Sequence, residues 1–390
     1  MSEGYIINKT TCLLAAEYGH LDLLKWLSSK MDHWSQEFNA EASWIFELGP
    51  AAAKGGHVDI LTWLTSDNFN PCTSNQVWEA AATGGHLHTL EWLQKQEELP
   101  KDRERMYECA AQAGHLHILK WLHKQGIKYS PNVCAIAASY GNLPMLQWLR
   151  QYGFPWNSKT CNNAIRNGSL ETLQWAHLNG CPFDKNTCII AVKTKQLEIL
   201  KWLVENKCPY TIQSLSIHAA MNKGRIEIME YLTSLGCPWN NEDLRFAVME
   251  GNLKVAQWLK DHGCNLSLTT FENIALSGDV ETVKWAFENG CKWTDDDDYA
   301  SVLQEASIEG HLDVLKWMTK VKEPTYEVYI EKLKYLFKLW KKIGEIALEN
   351  NHLDILKWVL SNAQIDVRDK LVELAENASH KLAIWIEKQI

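Results

Sequence analysis

The sequence predicts an all-α solenoid built from short helix-turn-helix repeats, and three observations carry that reading. A phrase of the form Ala-Ala-x-x-Gly-His-Leu recurs along the whole 390-residue chain. A tryptophan follows its glycine at a fixed distance. The residues before the glycine are small and those after it are large, with helical spacing.

The phrase GHLHILKWL (Gly114 to Leu122) serves as the reference. Aligned on its glycine, the units are anchored at Gly19, Gly56, Gly85, Gly114, Gly141, Gly168, Lys195, Gly224, Gly251, Gly278, Gly310, Asn351 and Ala378, about thirteen in all and mostly 27 to 29 residues apart. Seven positions after the anchor stands tryptophan, from Trp26 and Trp63 to Trp358 and Trp385, with Tyr231 breaking the series. Four positions before it alanine dominates, as at Ala15, Ala52, Ala110, Ala164 and Ala247, and cysteine recurs seven before it at Cys12, Cys134, Cys161 and Cys188.

Each unit resolves into two helices. The first, such as TCNNAIRNG (Thr160 to Gly168), is expected to start on a threonine cap and to end at a glycine in the left-handed conformation. The second, such as GHLDVLKWM (Gly310 to Met318), places apolar residues two, five, seven and eight after the anchor. Helices this short are marginal alone and must pack on their neighbours. Small residues bring the first helices close, while Trp and Leu hold the second helices apart, which curves the stack with the first helices on the concave side. The tryptophans are expected to form a ladder of buried indoles, each costing about 3–5 kcal/mol on truncation to alanine. Between several units runs a Gly-x-Pro-aromatic phrase, GFPWN from Gly153, GCPFD from Gly180 and GCPWN from Gly236, whose glycine closes the second helix and whose aromatic covers the seam to the next unit.

The Ala-Ala-x-x-Gly-His-Leu core resembles the ankyrin repeat over nearly the whole chain, residues 1–390 as a single solenoid. Most units are shorter than the family's and lack its Thr-Pro-Leu-His entry, so the resemblance implies shortened β-hairpin fingers. The Trp-rich, Gly-Cys-Pro-Trp-punctuated variant resembles ankyrin proteins of large DNA viruses of amoebae and of protists. Two segments interrupt the period: an insertion at 28–50 between units one and two, and a basic amphipathic helix at 319–342 between units eleven and twelve.

Hydrophobic content of 46% excludes a disordered chain, and a net charge of −9 argues against general affinity for nucleic acid or anionic membrane. No nucleic acid and no membrane partner are therefore expected. The opening residues carry no basic segment followed by an apolar run, and none of the eleven cysteines forms a Cys-x-x-Cys pair, so an intracellular, cytoplasmic protein with reduced thiols is expected, in host cytoplasm if viral.

No phosphate loop, nucleophile elbow or His-Glu-x-x-His motif occurs, so neither an enzyme nor a cofactor is expected. His86, His88, His115 and His117, in two GHLH phrases, invite a metal reading, but histidine one after the anchor also recurs at His20, His57, His311 and His352 and reads as a repeat position. The acidic run Thr294 to Asp298 lacks the spacing and turn glycine of a calcium loop.

What varies is the pair just before the anchor, which the ankyrin resemblance places at the concave ends of the first helices. Partner contacts are thereby expected at Tyr18, Tyr140, Arg166, Asn167, Lys193, Thr194, Lys195, Asn222, Lys223 and Arg225. The basic members cluster in units six to eight, which points to a protein partner carrying an acidic segment. The expected function is a protein–protein interaction scaffold. The alternatives are a substrate adaptor for a ubiquitin ligase, docking through the 319–342 helix, and a self-assembling structural component.

Overall fold

In the computed structural model the described residues are 9–30, 45–66, 74–96, 104–221, 226–266, 277–291, 296–321, 341–350, 352–362 and 371. Every regular element among them is helical. Contacts group the chain into two compact units, one of Met1–Ile190 with Trp202–Pro209 and one of Ala191–Lys201 with Tyr210–Ile390.

The first unit shows the repeat most fully. Its helices pair as α1 (Lys9–Glu17) with α2 (Leu21–Lys30), α3 (Ile45–Gly55) with α4 (Val58–Ser66), α5 (Asn75–Gly84) with α6 (Leu87–Gln96), and α7 (Glu104–Gln112) with α8 (Leu116–Lys124). The series continues with α9 (Val133–Ser139) and α10 (Leu143–Gln151), then α11 (Ser158–Asn167) and α12 (Leu170–Leu178). The first helices α1, α3, α5, α7, α9 and α11 pack closely in succession, while α6 and α8 approach far less. Alanine explains the difference. Ala52 and Ala53, Ala81 and Ala82, and Ala110 and Ala111 are fully buried where consecutive first helices meet.

The chain continues through α13 (Thr187–Lys193) and α14 (Leu197–Glu205). The second unit then repeats the pattern with α15 (Ile212–Met221) and α16 (Ile226–Ser234), and with α17 (Asn241–Met249) and α18 (Leu253–Asp261). Beyond these lie helices Val280–Glu288, Asp296–Ile308, Leu312–Val321, 341–349 and Leu353–Asn362.

The buried face of the second helices differs from the expected one. The residues sealed from solvent stand four, five and eight after the anchor, for example Ile60, Leu61 and Leu64, then Ile118, Leu119 and Leu122, then Met145, Leu146 and Leu149. The tryptophan at plus seven lies on the flank of that stripe. Trp121 is buried, but Trp63, Trp92, Trp148, Trp175, Trp202 and Trp258 are half-buried, and Trp26 is 51% exposed. The buried ladder is thus made of leucine and its apolar equivalents, and the indoles cover it.

They do so together with the Gly-x-Pro-aromatic loops, as the sequence leads one to expect. Trp156 meets Trp175 of the following repeat at 5.9 Å, Phe183 meets Trp202 at 6.1 Å, and Trp239 meets Trp258 at 5.4 Å, all edge to face. The residue after the loop glycine, or after Lys207 where lysine replaces it, plugs the core beneath: Phe154, Cys181, Cys208, Cys237, Cys264 and Cys291 are all buried there. The cysteines are free thiols, and of those seven before the anchor Cys161 meets Cys181 and Cys188 meets Cys208, while the Cys134 thiol lies against the Phe154 carbonyl. Thiols therefore act as small, soft core groups with weak donors.

Caps also depart from expectation. Helix α11 begins at Ser158 under Asn157, whose Oδ1 accepts from the Lys159 amide at 3.0 Å, and Thr160 is buried inside the first turns. Asparagine offers the same side-chain acceptor one turn earlier. In α17 a full capping box forms: Asn240 Oδ1 accepts from the Asp243 amide at 3.2 Å and Asp243 Oδ2 from the Asn240 amide at 3.1 Å.

Of the interrupting segments, Ser28–Lys30 belongs to α2 and Ile45–Pro50 to α3. Residues 31–44, residues 322–340 of the basic helix and the side chains of the acidic run lie outside the described residues.

Candidate partner-binding surface

The surface is set by the turn between the two helices of a repeat. The anchor glycines take left-handed backbone, with φ of +82° at Gly56 and +75° at Gly85, and so end the first helix with its last two residues outward. A second requirement falls on the same glycines. A Cβ at Gly56 would lie 2.7 Å from the ring of His86, and one at Gly85 would lie 2.7 Å from the ring of His115.

Those rings are clamps between repeats. The Nε2 of His57 meets the Glu17 carbonyl at 3.0 Å, that of His115 the Thr83 carbonyl at 3.0 Å, and that of His352 the Ile308 carbonyl at 2.7 Å. His86 bonds the Lys54 backbone in the same way. The second histidine of each GHLH phrase reaches one residue row further: His88 Nε2 meets the Gly56 carbonyl at 2.9 Å and His117 Nε2 the Gly85 carbonyl at 2.8 Å. A carbonyl only accepts, so Nε2 carries the proton and donates. The carbonyls held are those two before the anchor and at the anchor itself, so the clamps fix the backbone of the very row expected to contact a partner.

The expected contact residues then fall as follows. Tyr18 and Tyr140 are 68% and 59% exposed, each one before its anchor. Arg166 and Asn167 are exposed at the end of α11. Arg166 Nη1 donates to Asn163 Oδ1 at 2.9 Å, and Asn163 Nδ2 donates to the Ala135 carbonyl of the preceding repeat at 2.9 Å. Within the same unit Lys54 Nζ pairs with Glu17 Oε1 at 2.8 Å, an exposed bridge of about 0–1 kcal/mol.

Lys193, Thr194 and Lys195 belong to the second unit. Lys193 is exposed, while Thr194 and Lys195 are half-buried. Lys195 occupies an anchor position with φ +60°, left-handed backbone that a side chain disfavours. Burial, and then the charge of Lys193, lower the pKa of His218 on α15. Asn222, Lys223 and Arg225 lie outside the described residues. Sequence reasoning missed the clamps, although the recurring Gly-His dipeptide carried their signal.

A family model for ankyrin repeats in many copies matches residues 133–177, the stretch from α9 to α12. No curated protein matches the chain. Among solved structures, two of the pentatricopeptide repeat protein PPR10 in complex with an 18-nt psaJ RNA element are similar, each with a TM-score of 0.42, 10% identity and coverage of 100% of this chain and 65% of that one. PPR10 from maize is similar with a TM-score of 0.37, 12% identity and coverage of 98% and 63%. The chain thus spans slightly less than two thirds of the length of these proteins. The repeat assignment rests on the ankyrin match and on the helix geometry. One expectation is corrected: because two of the similar structures hold RNA, nucleic acid is not excluded as a partner. The physical reason is that net charge is a sum over the whole chain, whereas a phosphate backbone responds to local charge.

Proposed function

We propose that the chain is a non-enzymatic, cytoplasmic scaffold that binds a protein partner along the row of first-helix ends. The observation that supports this reading most is the contrast along each first helix. In the first unit the residues four and three before the anchor, nearly all alanine, are sealed in the core, while the last two residues are outward, differ from repeat to repeat and include the exposed Tyr18, Tyr140, Arg166 and Asn167. A row whose backbone is clamped and whose side chains are free to vary suits recognition at low entropic cost. The ankyrin match over 133–177 includes Tyr140, Arg166 and Asn167.

The test places a photo-crosslinking residue at Tyr140 or Asn167 in the full chain, with Leu178, which is 82% exposed, as an off-row control. Discrete protein adducts at the row positions and none at Leu178 support the proposal. Equal adducts at all three positions refute it, and nuclease-sensitive adducts at the row identify nucleic acid as its occupant instead.

A further inference from the structure

A second surface lies on the fourth to sixth repeats, carried by the second helices and the loops that follow them. Between Glu108 and Glu171 the sequence contains no acidic residue, yet Lys120, Lys124, Lys128, Arg150, Lys159 and Arg166 fall in that stretch. In a chain with net charge −9 this is a local excess of positive charge.

Over the same stretch the rings touch without interruption. Tyr129 lies 4.5 Å from Phe154, and Phe154 lies 5.8 Å from both His123 and Trp148. Tyr152 closes the group, 4.8 Å from Trp148 and 5.1 Å from His123. Arg150 extends it: the guanidinium donates to the Phe154 carbonyl and lies 4.2 Å over the Trp156 ring. Phe154 is fully buried and forms the floor, whereas Tyr129 and Tyr152 are 36% and 48% exposed and His123, Trp148 and Trp156 are half-buried. All belong to one compact unit.

Exposed cations flank these rings. Lys120 and Lys124 are one turn apart on α8 beside His123, Lys128 precedes Tyr129, and Lys159 lies three residues beyond Trp156. Of the acids adjoining the stretch in sequence, Glu104 pairs with Lys128 at 3.4 Å, Glu108 accepts from Ser130, and Glu171 stands in the first turn of α12; Glu91 is exposed on α6 of the preceding repeat.

We propose that this face binds single-stranded nucleic acid, with bases stacking on Tyr129, Tyr152 and the guanidinium of Arg150, and phosphates meeting Lys120, Lys124, Lys128 and Lys159. Charge alone would serve an acidic peptide equally. The contiguous half-exposed rings favour an unpaired strand, because every base has a face to stack and a duplex hides it. The surface is separate from the first-helix row, so either reading stands without the other.

The experiment is fluorescence anisotropy of a labelled twelve-nucleotide oligouridine with the full chain. Saturable binding is expected, with log K falling linearly against log salt. Tyr152→Ala should weaken it about tenfold and Tyr152→Phe should retain it, as removal of one base-stacking ring predicts. Lys124→Gln, Lys128→Gln and Lys159→Gln together should reduce the salt slope by about two, at about 0.7 per phosphate contact. Circular dichroism melting identifies variants that remain folded, and Tyr152→Phe guards against a packing defect at that site. No binding up to roughly 100 µM, the weak end of non-specific association, overturns the proposal. So does wild-type affinity in Tyr152→Ala, or displacement by polyglutamate as effective as by unlabelled oligouridine, which would identify an acidic protein segment as the occupant.

Discussion

Replacing Gly85 by alanine tests the clamp that fixes the first-helix ends. Two costs add at this position. The backbone φ of +75° is left-handed, which costs an L-residue about 1–2 kcal/mol. The new Cβ would also stand 2.7 Å from Cε1 and Nδ1 of His115, so the ring must move and lose its 3.0 Å bond to the Thr83 carbonyl, worth about 0.5–1.5 kcal/mol. Gly153 separates the two terms, since its φ is +80° but nothing lies within 4 Å of an added Cβ. Gly85→Ala should therefore cost about 1.5–3.5 kcal/mol and Gly153→Ala about 1–2 kcal/mol. In a His115→Ala background the Gly85→Ala cost should fall to the Gly153 value. Native-state hydrogen exchange of the α5 and α8 amides reads these differences locally. Equal costs for the two glycines, with no coupling between positions 85 and 115, would refute the clamp.

Four further outcomes are expected. Lys195→Gly should stabilise the chain to urea by about 1 kcal/mol, because lysine at φ +60° is replaced by the residue that adopts this backbone freely; a loss of stability would count against strain there. Leu90→Ala, at a fully buried position, should cost about 2–5 kcal/mol, whereas Trp26→Ala, at a 51% exposed ring, should cost under about 1 kcal/mol; calorimetry showing the reverse order would restore a tryptophan core. Burial and the neighbouring His88 lower the pKa of His86, and burial with Lys193 lowers that of His218, so the fold favours both neutral rings. Their contribution is full above the unfolded value of about 6.5 and is lost as pH falls through the lowered folded values, so melting should drop between about pH 7 and 5, less steeply in His86→Gln and His218→Gln. Burial pushes the Cys134 thiol up to about 12 and the Cys237 thiol up to about 11, so native iodoacetamide labelling near neutral pH should be slow and should accelerate in urea; fast native labelling of Cys134 would contradict its packing.

The helix pairs were legible because alanine, glycine and leucine recur at positions where geometry leaves little choice. The tryptophans were misread because a ring of that size at a periodic position looks like core. A helix face sealed at plus four, five and eight leaves plus seven beside the stripe, where an indole can cover leucine and still meet the next loop. The plus-four position was hidden because Thr89, Thr172 and Thr282 occupy it and are buried, so polarity masked its place in the core. Cysteine showed only half its pattern: Cys161 and Cys188 were visible as a register, but their partners Cys181 and Cys208 sit in the next loop and become neighbours only once repeats stack. The outward ends of the first helices were legible as variable positions, and exposure of Tyr18, Tyr140, Arg166 and Asn167 follows from their place after the last buried turn.

Lys195 shows how the clamp couples residues that are distant in sequence. Gly19, Gly56, Gly85, Gly278 and Gly310 each face a histidine ring of the following repeat, so a side chain at any of them meets both backbone strain and a ring. The residue one after the next anchor following Lys195 is Arg225, not histidine. The sequence thus supplies no histidine ring opposite this anchor, and Lys195, with a left-handed backbone costing about 1–2 kcal/mol, is carried two residues from Lys193. The pairing rule runs one way: a histidine after an anchor demands glycine at the preceding anchor, whereas glycine does not demand histidine, as Gly114 facing Asn142 shows with its nearest contact at 3.9 Å. Introducing histidine at Asn142 should therefore be accepted beside Gly114, while alanine at Gly114 should become costlier in that background than in the natural chain.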